Sequence, residues 1–301
     1  MGDERPFPLA LARGGEVKGR SLRGLLREAR RRGLLPHKAL GQHFLVHRGI
    51  AKRIVEGAEV RGEDVVLEVG PGIGGLTFLL LGRAKKVIAV EIDERLAAFL
   101  EEMAEGDPRL LILQDDALRL DLSALAGREG GKLKVVSNLP YNVSTPLFFH
   151  FLSHREALTS LTLMFQREVA ERITSPPGRK SYGILAVYAG LYTRARILFH
   201  VPPQAFWPPP QVEGAVVRLE VLPHPVVPME DPHLFQRVLQ ACFQKRRKTL
   251  LNALSSAGLG TKEELRRLLQ GLGLDPQRRG ETLSVEELAN LTNVLSKREK
   301  F

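Results

Sequence analysis

Asn138-Leu139-Pro140-Tyr141 places a carboxamide, a backbone carbonyl and an aromatic ring within four residues. Leu133, Val135 and Val136 ahead of it read as a short buried strand, with Ser137-Asn138 leaving the sheet. Pro140 lacks an N–H and restricts Leu139 to an extended conformation, so the Leu139 carbonyl cannot turn back into a helix. The Asn138 side-chain oxygen and the Leu139 carbonyl can then accept both hydrogens of one exocyclic amine, and Tyr141 can stack on the ring that carries it. An aromatic amine is a poor nucleophile because its lone pair is delocalised into the ring. Acceptors on its hydrogens favour a pyramidal nitrogen whose lone pair can attack an electrophile. The pattern predicts a device for alkylating a base, although a plain turn after a strand has the same local sequence.

Such a device needs a sheet to hold it and a donor beside it. Val65-Val66-Leu67-Glu68-Val69 is a buried-strand run, followed at once by Gly70-Pro71-Gly72-Ile73-Gly74-Gly75 and an apolar helix from Leu76. Glycines there let backbone approach a ligand at the carboxyl edge of a parallel sheet. Val87-Ile88-Ala89-Val90 ends in Glu91, placed to accept from both hydroxyls of a ribose. Leu110-Leu111-Ile112-Leu113 ends near Asp115-Asp116, where Asp116 can accept from an adenine amino group. The glycines alone do not choose a cofactor, since Gly70, Gly72 and Gly75 with Glu91 also satisfy the dinucleotide fingerprint. Asp116 and the amine-handling end of the fourth strand favour S-adenosylmethionine over a nicotinamide. No acid or base is set for hydride transfer.

Further motifs extend the pattern: Lys38-Ala39-Leu40-Gly41-Gln42-His43-Phe44-Leu45, Gln166-Arg167-Glu168, Ser181-Tyr182-Gly183, Pro202-Pro203-Gln204-Ala205-Phe206-Trp207-Pro208-Pro209-Pro210 and Phe243-Gln244-Lys245-Arg246-Arg247-Lys248-Thr249-Leu250. Together with the glycine loop, Glu91 and Asn138 to Tyr141, their order and spacing resemble the KsgA/RsmA family of rRNA adenine N6,N6-dimethyltransferases, from about Pro36 to the C-terminus. The resemblance implies an α/β fold, a Rossmann-like class I SAM-dependent methyltransferase domain with a smaller C-terminal all-helical domain. It implies a cofactor pocket of His43, Leu45, Gly70, Gly72, Glu91, Asp116 and Asn138, and a catalytic group of Asn138, Leu139, Pro140, Tyr141 and Phe206. Phe206 would hold the target adenine opposite Tyr141, its flanking prolines making full burial awkward. His43 departs from the family, which more often has Asn there. The implied substrate is a pair of adjacent adenines near the 3′ end of small-subunit rRNA, within 30S or pre-30S particles. A large-subunit methyltransferase or a purely RNA-binding assembly factor are the competing readings.

Composition agrees. A chain of 301 residues, 44% hydrophobic, can bury two cores, and a formal charge of +10 suits a polyanionic partner. One cysteine, Cys242, permits no internal disulfide and reads as a packing residue, as expected in a reducing cytoplasm. No His or Cys cluster has zinc-ligand spacing, no apolar run reaches membrane-spanning length, and a monomer is expected. Three regions follow. Residues 1–35 read as a basic, flexible extension in which Ser21 to Arg32 can form an amphipathic helix. Residues 36–222 form the catalytic domain, with later strands expected at 158–163, 184–188 and 212–219. Residues 223–301 form helices started by Asp231-Pro232 and by capping boxes at Thr261 and Ser284. Lys245, Arg246, Arg247 and Lys248 on one of these helices, and Arg179 with Lys180 on a loop, are candidate RNA contacts, with Arg278-Arg279 weaker.

Overall fold

Short β-branched runs separated by glycine turns and apolar helices build a twisted sheet in the computed structural model, which describes residues 21–37, 40–245 and 247–298. The Lys38-Ala39 pair, Arg246 and the first 20 residues lie outside them. The strands are β1 (Phe44–Leu45), β2 (Val65–Val69), β3 (Lys86–Glu91), β4 (Leu110–Gln114), β5 (Leu133–Asn138), β6 (Leu158–Gln166), β7 (Thr193–Val201), β8 (Phe206–Trp207) and β9 (Gly214–Val221). The helices are α1 (Leu22–Arg31), α2 (Arg48–Gly57), α3 (Thr77–Leu81), α4 (Glu94–Ala104), α5 (Leu122–Arg128), α6 (Ser144–Ser153), α7 (Arg167–Ile173) and α8 (Ile184–Tyr192). Four more, α9 (Pro232–Gln244), α10 (Leu250–Ser256), α11 (Lys262–Gly271) and α12 (Val285–Arg298), follow among the described residues.

Seven strands share one sheet in the order β4-β3-β2-β5-β6-β9-β7. The first five are parallel, and β9 runs antiparallel to both β6 and β7. From β2 the chain winds outward through β3 and β4, then returns to β5 on the other side. The switch point thus falls between the carboxyl ends of β2 and β5, the place where such sheets open a ligand crevice. Ser137 Oγ donates to the Val69 carbonyl at 2.5 Å and ties the two strand ends together.

The expected strands recur except at 184–188, which lies within helix α8. Its side chains are buried on both sides: Leu185 and Ala189 in the sheet core, Ala186, Val187 and Leu191 in the core of the C-terminal helices. An element apolar all round carries no period to separate helix from strand. The sheet gains β7 instead, with Arg194 and Arg196 exposed.

The C-terminal helices begin as their caps dictate. Asp231 accepts from Leu234 N–H, Thr261 and Glu264 form a reciprocal box, and so do Ser284 and Glu287. They enclose their own core with Cys242, whose thiol burial pushes up to about 12, so it stays protonated and inert. Two corrections concern basic residues. Lys245, Arg247 and Lys248 stand on the turn between α9 and α10, not on a helix. Residues 21–35 are not a free tail, because Leu25 and Ala29 of α1 are buried against Phe44, Ile73, Leu96 and Phe99.

Candidate active site

The turn after β2 approaches two neighbours closely enough to require glycine. Gly72 has φ +58°, and a Cβ there would lie 2.9 Å from the Phe44 ring. Gly70 has φ +66°, with Pro140 3.3 Å from its missing Cβ. Gly72 N–H donates to Glu91 Oε2 and Asp93 N–H to Glu91 Oε1, each at 3.1 Å. Glu91 is only 3% exposed, and burial raises its pKa against the pull of these bonds. Two N–H bonds leave lone pairs on both oxygens to accept from ligand hydroxyls.

Beside it, Glu68 is 2% exposed and lines the same cavity. Glu68 Oε2 and the adjacent buried Thr77 Oγ1 stand near enough for the hydroxyl to favour the carboxylate but outside good hydrogen-bonding geometry, and among the described residues neither has another partner. Burial pushes the Glu68 carboxyl up to about 8, with the Thr77 hydroxyl opposing the shift and the Glu91 charge adding to it. Sequence reasoning gave Glu68 no role. The available signal was an acid inside an otherwise apolar, wholly buried strand.

Across the switch point, Asn138 Nδ2 donates to the His43 carbonyl at 3.0 Å. A carbonyl accepts only, so this contact fixes the amide orientation and leaves Oδ1 as the unoccupied acceptor. His43 is held in turn by Nδ1, 2.8 Å from the Pro208 carbonyl. That nitrogen must carry the proton, which leaves Nε2 as acceptor in the neutral ring. Leu139 is 1% exposed, so its side chain anchors the turn and its carbonyl stays fixed. The Tyr141 ring is half-buried, 5.8 Å from the His43 ring. Its hydroxyl is buried without a partner among the described residues and pushed up to about 12, so it stays neutral. Asp116 caps a short helical turn by accepting from Leu118 N–H at 3.0 Å.

His43, Leu45, Gly70, Gly72, Glu91, Asp116, Asn138, Leu139, Pro140 and Tyr141 all line this one cavity. Phe206 does not. It is 3% exposed in β8, paired with Leu45 and packed in the core below. Strand pairing satisfies the backbone despite the flanking prolines, so burial is reached and the base-holding role is withdrawn.

The remaining candidates form a separate basic surface. Lys245 and Arg247 are exposed, while Lys248 Nζ donates to Ser256 Oγ at 2.8 Å. Exposed Arg179 and Lys180 stand on a loop whose Gly178 N–H donates to the Glu281 carbonyl. Leu250 N–H, just after the basic turn, donates to the Arg278 carbonyl, so loop and turn both abut residues 278–281. Arg278 is committed to Glu287 at 2.6 Å and is no free phosphate ligand.

A cavity at the switch point, walled by Glu68, Glu91, Asp115 and Asp116 and by glycine backbone, fits a nucleoside that also bears positive charge. S-adenosylmethionine has that donor set: Glu91 suits its ribose, Asp116 its adenine amine, and the orphaned Glu68 oxygen its ammonium. Fold and site define a class I SAM-dependent methyltransferase. The family described as ribosomal RNA adenine dimethylase matches residues 34–297. The chain is 44% identical over 92% of its length to "Ribosomal RNA small subunit methyltransferase A" of Moorella thermoacetica, covering 97% of that protein. Among solved structures it resembles a dimethyladenosine transferase from Plasmodium falciparum, with TM-score 0.71 and 26% identity over 83% of this chain and 96% of that one. It also resembles the 23S rRNA methyltransferase ErmE, with TM-score 0.67 and 25% identity over 84% of this chain and 99% of that one. The chain belongs to the ribosomal RNA adenine dimethylase family and is a SAM-dependent rRNA adenine dimethyltransferase.

Proposed function

We propose that the chain dimethylates N6 of two adjacent adenines in a loop near the 3′ end of small-subunit rRNA, acting as a monomer on 30S or pre-30S particles in the cytoplasm. The observation that carries the choice of subunit is the 44% identity, nearly end to end, to a small-subunit enzyme, against 25% to a large-subunit one.

When bound, S-adenosylmethionine supplies an electrophilic methyl group on a sulfonium. The residues do the rest by positioning. The adenine leaves its stack at a cost of a few kcal/mol, about 1–3 kcal/mol of which stacking on Tyr141 offsets. Asn138 Oδ1 and the Leu139 carbonyl accept from the two amine hydrogens and turn the lone pair toward the donor. Methyl transfer to that nitrogen would leave it cationic and acidic, and its surplus proton would pass to water. No strong general base is needed. In the second round one hydrogen remains for the two acceptors, so the pocket must admit the first methyl group. Residues His43, Leu45, Gly70, Gly72, Glu68, Glu91 and Asp116 hold the cofactor in this reading.

Lys245, Arg246, Arg247 and Lys248, with Arg179 and Lys180, are assigned to RNA phosphates. The clustering of Lys245, Arg247 and Lys248 with Arg179 and Lys180 around residues 278–281 and the charge of +10 support this, while Arg246 lies outside the described residues. The test offers unmodified small and large subunits separately with radiolabelled S-adenosylmethionine. Label on the small subunit alone is expected; label on the large subunit alone would transfer the enzyme to the other branch.

A further inference from the structure

Helix α1 is an ordered element to which the site assigns no task. Its inner face braces the cofactor loop from outside. Leu25 and Ala29 pack with Phe44 and Ile73, and Leu22 Cδ1 lies 3.8 Å from where a Gly75 Cβ would stand. Its outer face is different. Arg23, Arg27 and Arg30 are exposed and follow one another at helical spacing, so they form a row. The only acid of the helix, Glu28, is taken by Arg31 at 2.6 Å and Arg32 at 2.7 Å, and Arg32 also reaches Glu102. No described carboxylate forms an ion pair with Arg23, Arg27 or Arg30.

The row is costly for the helix itself. The first turn holds no acid, and Arg23 stands there against the positive end of the macrodipole. Three unneutralised arginines side by side also repel one another. At its far end the row reaches Trp207, one residue from the carbonyl that holds the cavity-lining His43. The Arg30 guanidinium lies 4.6 Å over the Trp207 ring, and the next residue, Pro208, holds His43 through its carbonyl. A linear polyanion lying along α1 would neutralise the row and arrive at Trp207, beside the segment that holds His43.

We infer that the outer face of α1 is a second phosphate-contacting surface, in which Arg23, Arg27 and Arg30 bind the backbone of the RNA strand that delivers the target base. The inference rests on the RNA-dimethylating reading above and adds a contact that the C-terminal basic cluster does not provide. Among the described residues no ion pair, hydrogen bond or ring contact uses the Arg23 or Arg27 guanidinium, and the brace is made by Leu22, Leu25 and Ala29, so exchanging the two arginines for glutamine leaves it in place.

The test compares full-length wild type, Arg23→Gln/Arg27→Gln and Lys245→Gln/Arg247→Gln. Small-subunit binding is titrated between about 50 and 200 mM salt, and cofactor Kd is measured by calorimetry. Loss of Arg23 and Arg27 should lower the slope of log K against log salt by about 1.4–1.8, roughly 0.7–0.9 per lost phosphate contact, with cofactor Kd unchanged. An unchanged slope for this variant, while the Lys245/Arg247 variant lowers its own, overturns the α1 surface and leaves the RNA reading standing. A weakened cofactor Kd with an unchanged slope also overturns it, reducing α1 to a brace. A wild type that neither binds nor labels ribosomal particles overturns both.

Discussion

Asn138 donates through Nδ2 to the main-chain carbonyl of His43 at 3.0 Å, and that single contact fixes which atom of the carboxamide faces the cavity. In the proposed reaction the free Oδ1 and the Leu139 carbonyl act as the pair of acceptors for the amine. An aspartate at 138 would present an oxygen to the His43 carbonyl and lose the anchor. Asn138→Ala and Asn138→Asp should each lower single-turnover methyl transfer by roughly 10²–10³-fold, the cost of removing one preorganised charge-stabilising partner. Rapid-quench kinetics checks this, and near-normal rates in either variant would remove Asn138 from the reaction.

The Glu68 carboxyl gives a pH dependence with a definite sign. Burial raises its folded pKa from 4.5 to about 8, so between those values the folded protein holds a proton that the unfolded chain has lost. Stability of the cofactor-free protein should therefore fall as pH rises from about 4.5 to 8, by roughly a few kcal/mol. Binding a cationic ligand favours the ionised form, so affinity for S-adenosylmethionine should tighten over pH 6 to 8.5. Denaturant melts and calorimetry should show Glu68→Gln flattening both curves. A cofactor Kd whose pH dependence is the same in the variant would separate Glu68 from the ligand.

Tyr141 separates ring from hydroxyl. The hydroxyl is buried without a partner, so its removal costs no hydrogen bond. Tyr141→Phe should retain activity within about threefold, whereas Tyr141→Ala should lose about 1–3 kcal/mol of base stacking. Steady-state kcat/KM with small subunits distinguishes them. Equal losses in both variants would place the function in the hydroxyl.

Gly72 combines a left-handed backbone with close contact to Phe44. Gly72→Ala should cost about 1–3 kcal/mol of stability through backbone strain and weaken cofactor binding, since the loop must shift. Thermal melts with and without cofactor measure both. An alanine variant as stable and as tight as wild type would show that the loop does not need this conformation.

Much of this site was readable from residue order because its parts are local. The ends of β2, β3, β4 and β5 are announced by apolar runs that stop at Gly70, Glu91, Asp115 and Asn138. What escaped depends on partners distant in the chain. Ile184 to Tyr192 is sandwiched between two cores, which erases the periodicity that separates helix from strand. Phe206 looks like a proline-stiffened wall until Leu45 pairs with it and draws it into the core. Helix α1 reads as a solvated basic segment until Ile73, Leu96 and Phe99 supply its apolar seat. Lys245 to Lys248 carry the composition of a helix surface, but Leu250 N–H bonds to the Arg278 carbonyl and the chain turns there. Glu68 sat inside a recognised motif; only its unpartnered burial gave it a role.

In the proposed reaction one cavity presents an unstacked adenine amine, between Asn138 and Leu139, to a methyl donor held by Glu91 and Asp116. The most direct measurement is mass-spectrometric mapping of small-subunit rRNA after incubation with isotope-labelled S-adenosylmethionine and either wild type or Asn138→Ala. Wild type should leave two labelled methyl groups on N6 of each of two neighbouring adenines, and the variant almost none. Methyl groups on any other atom or base, or the same yield from the variant, would contradict it.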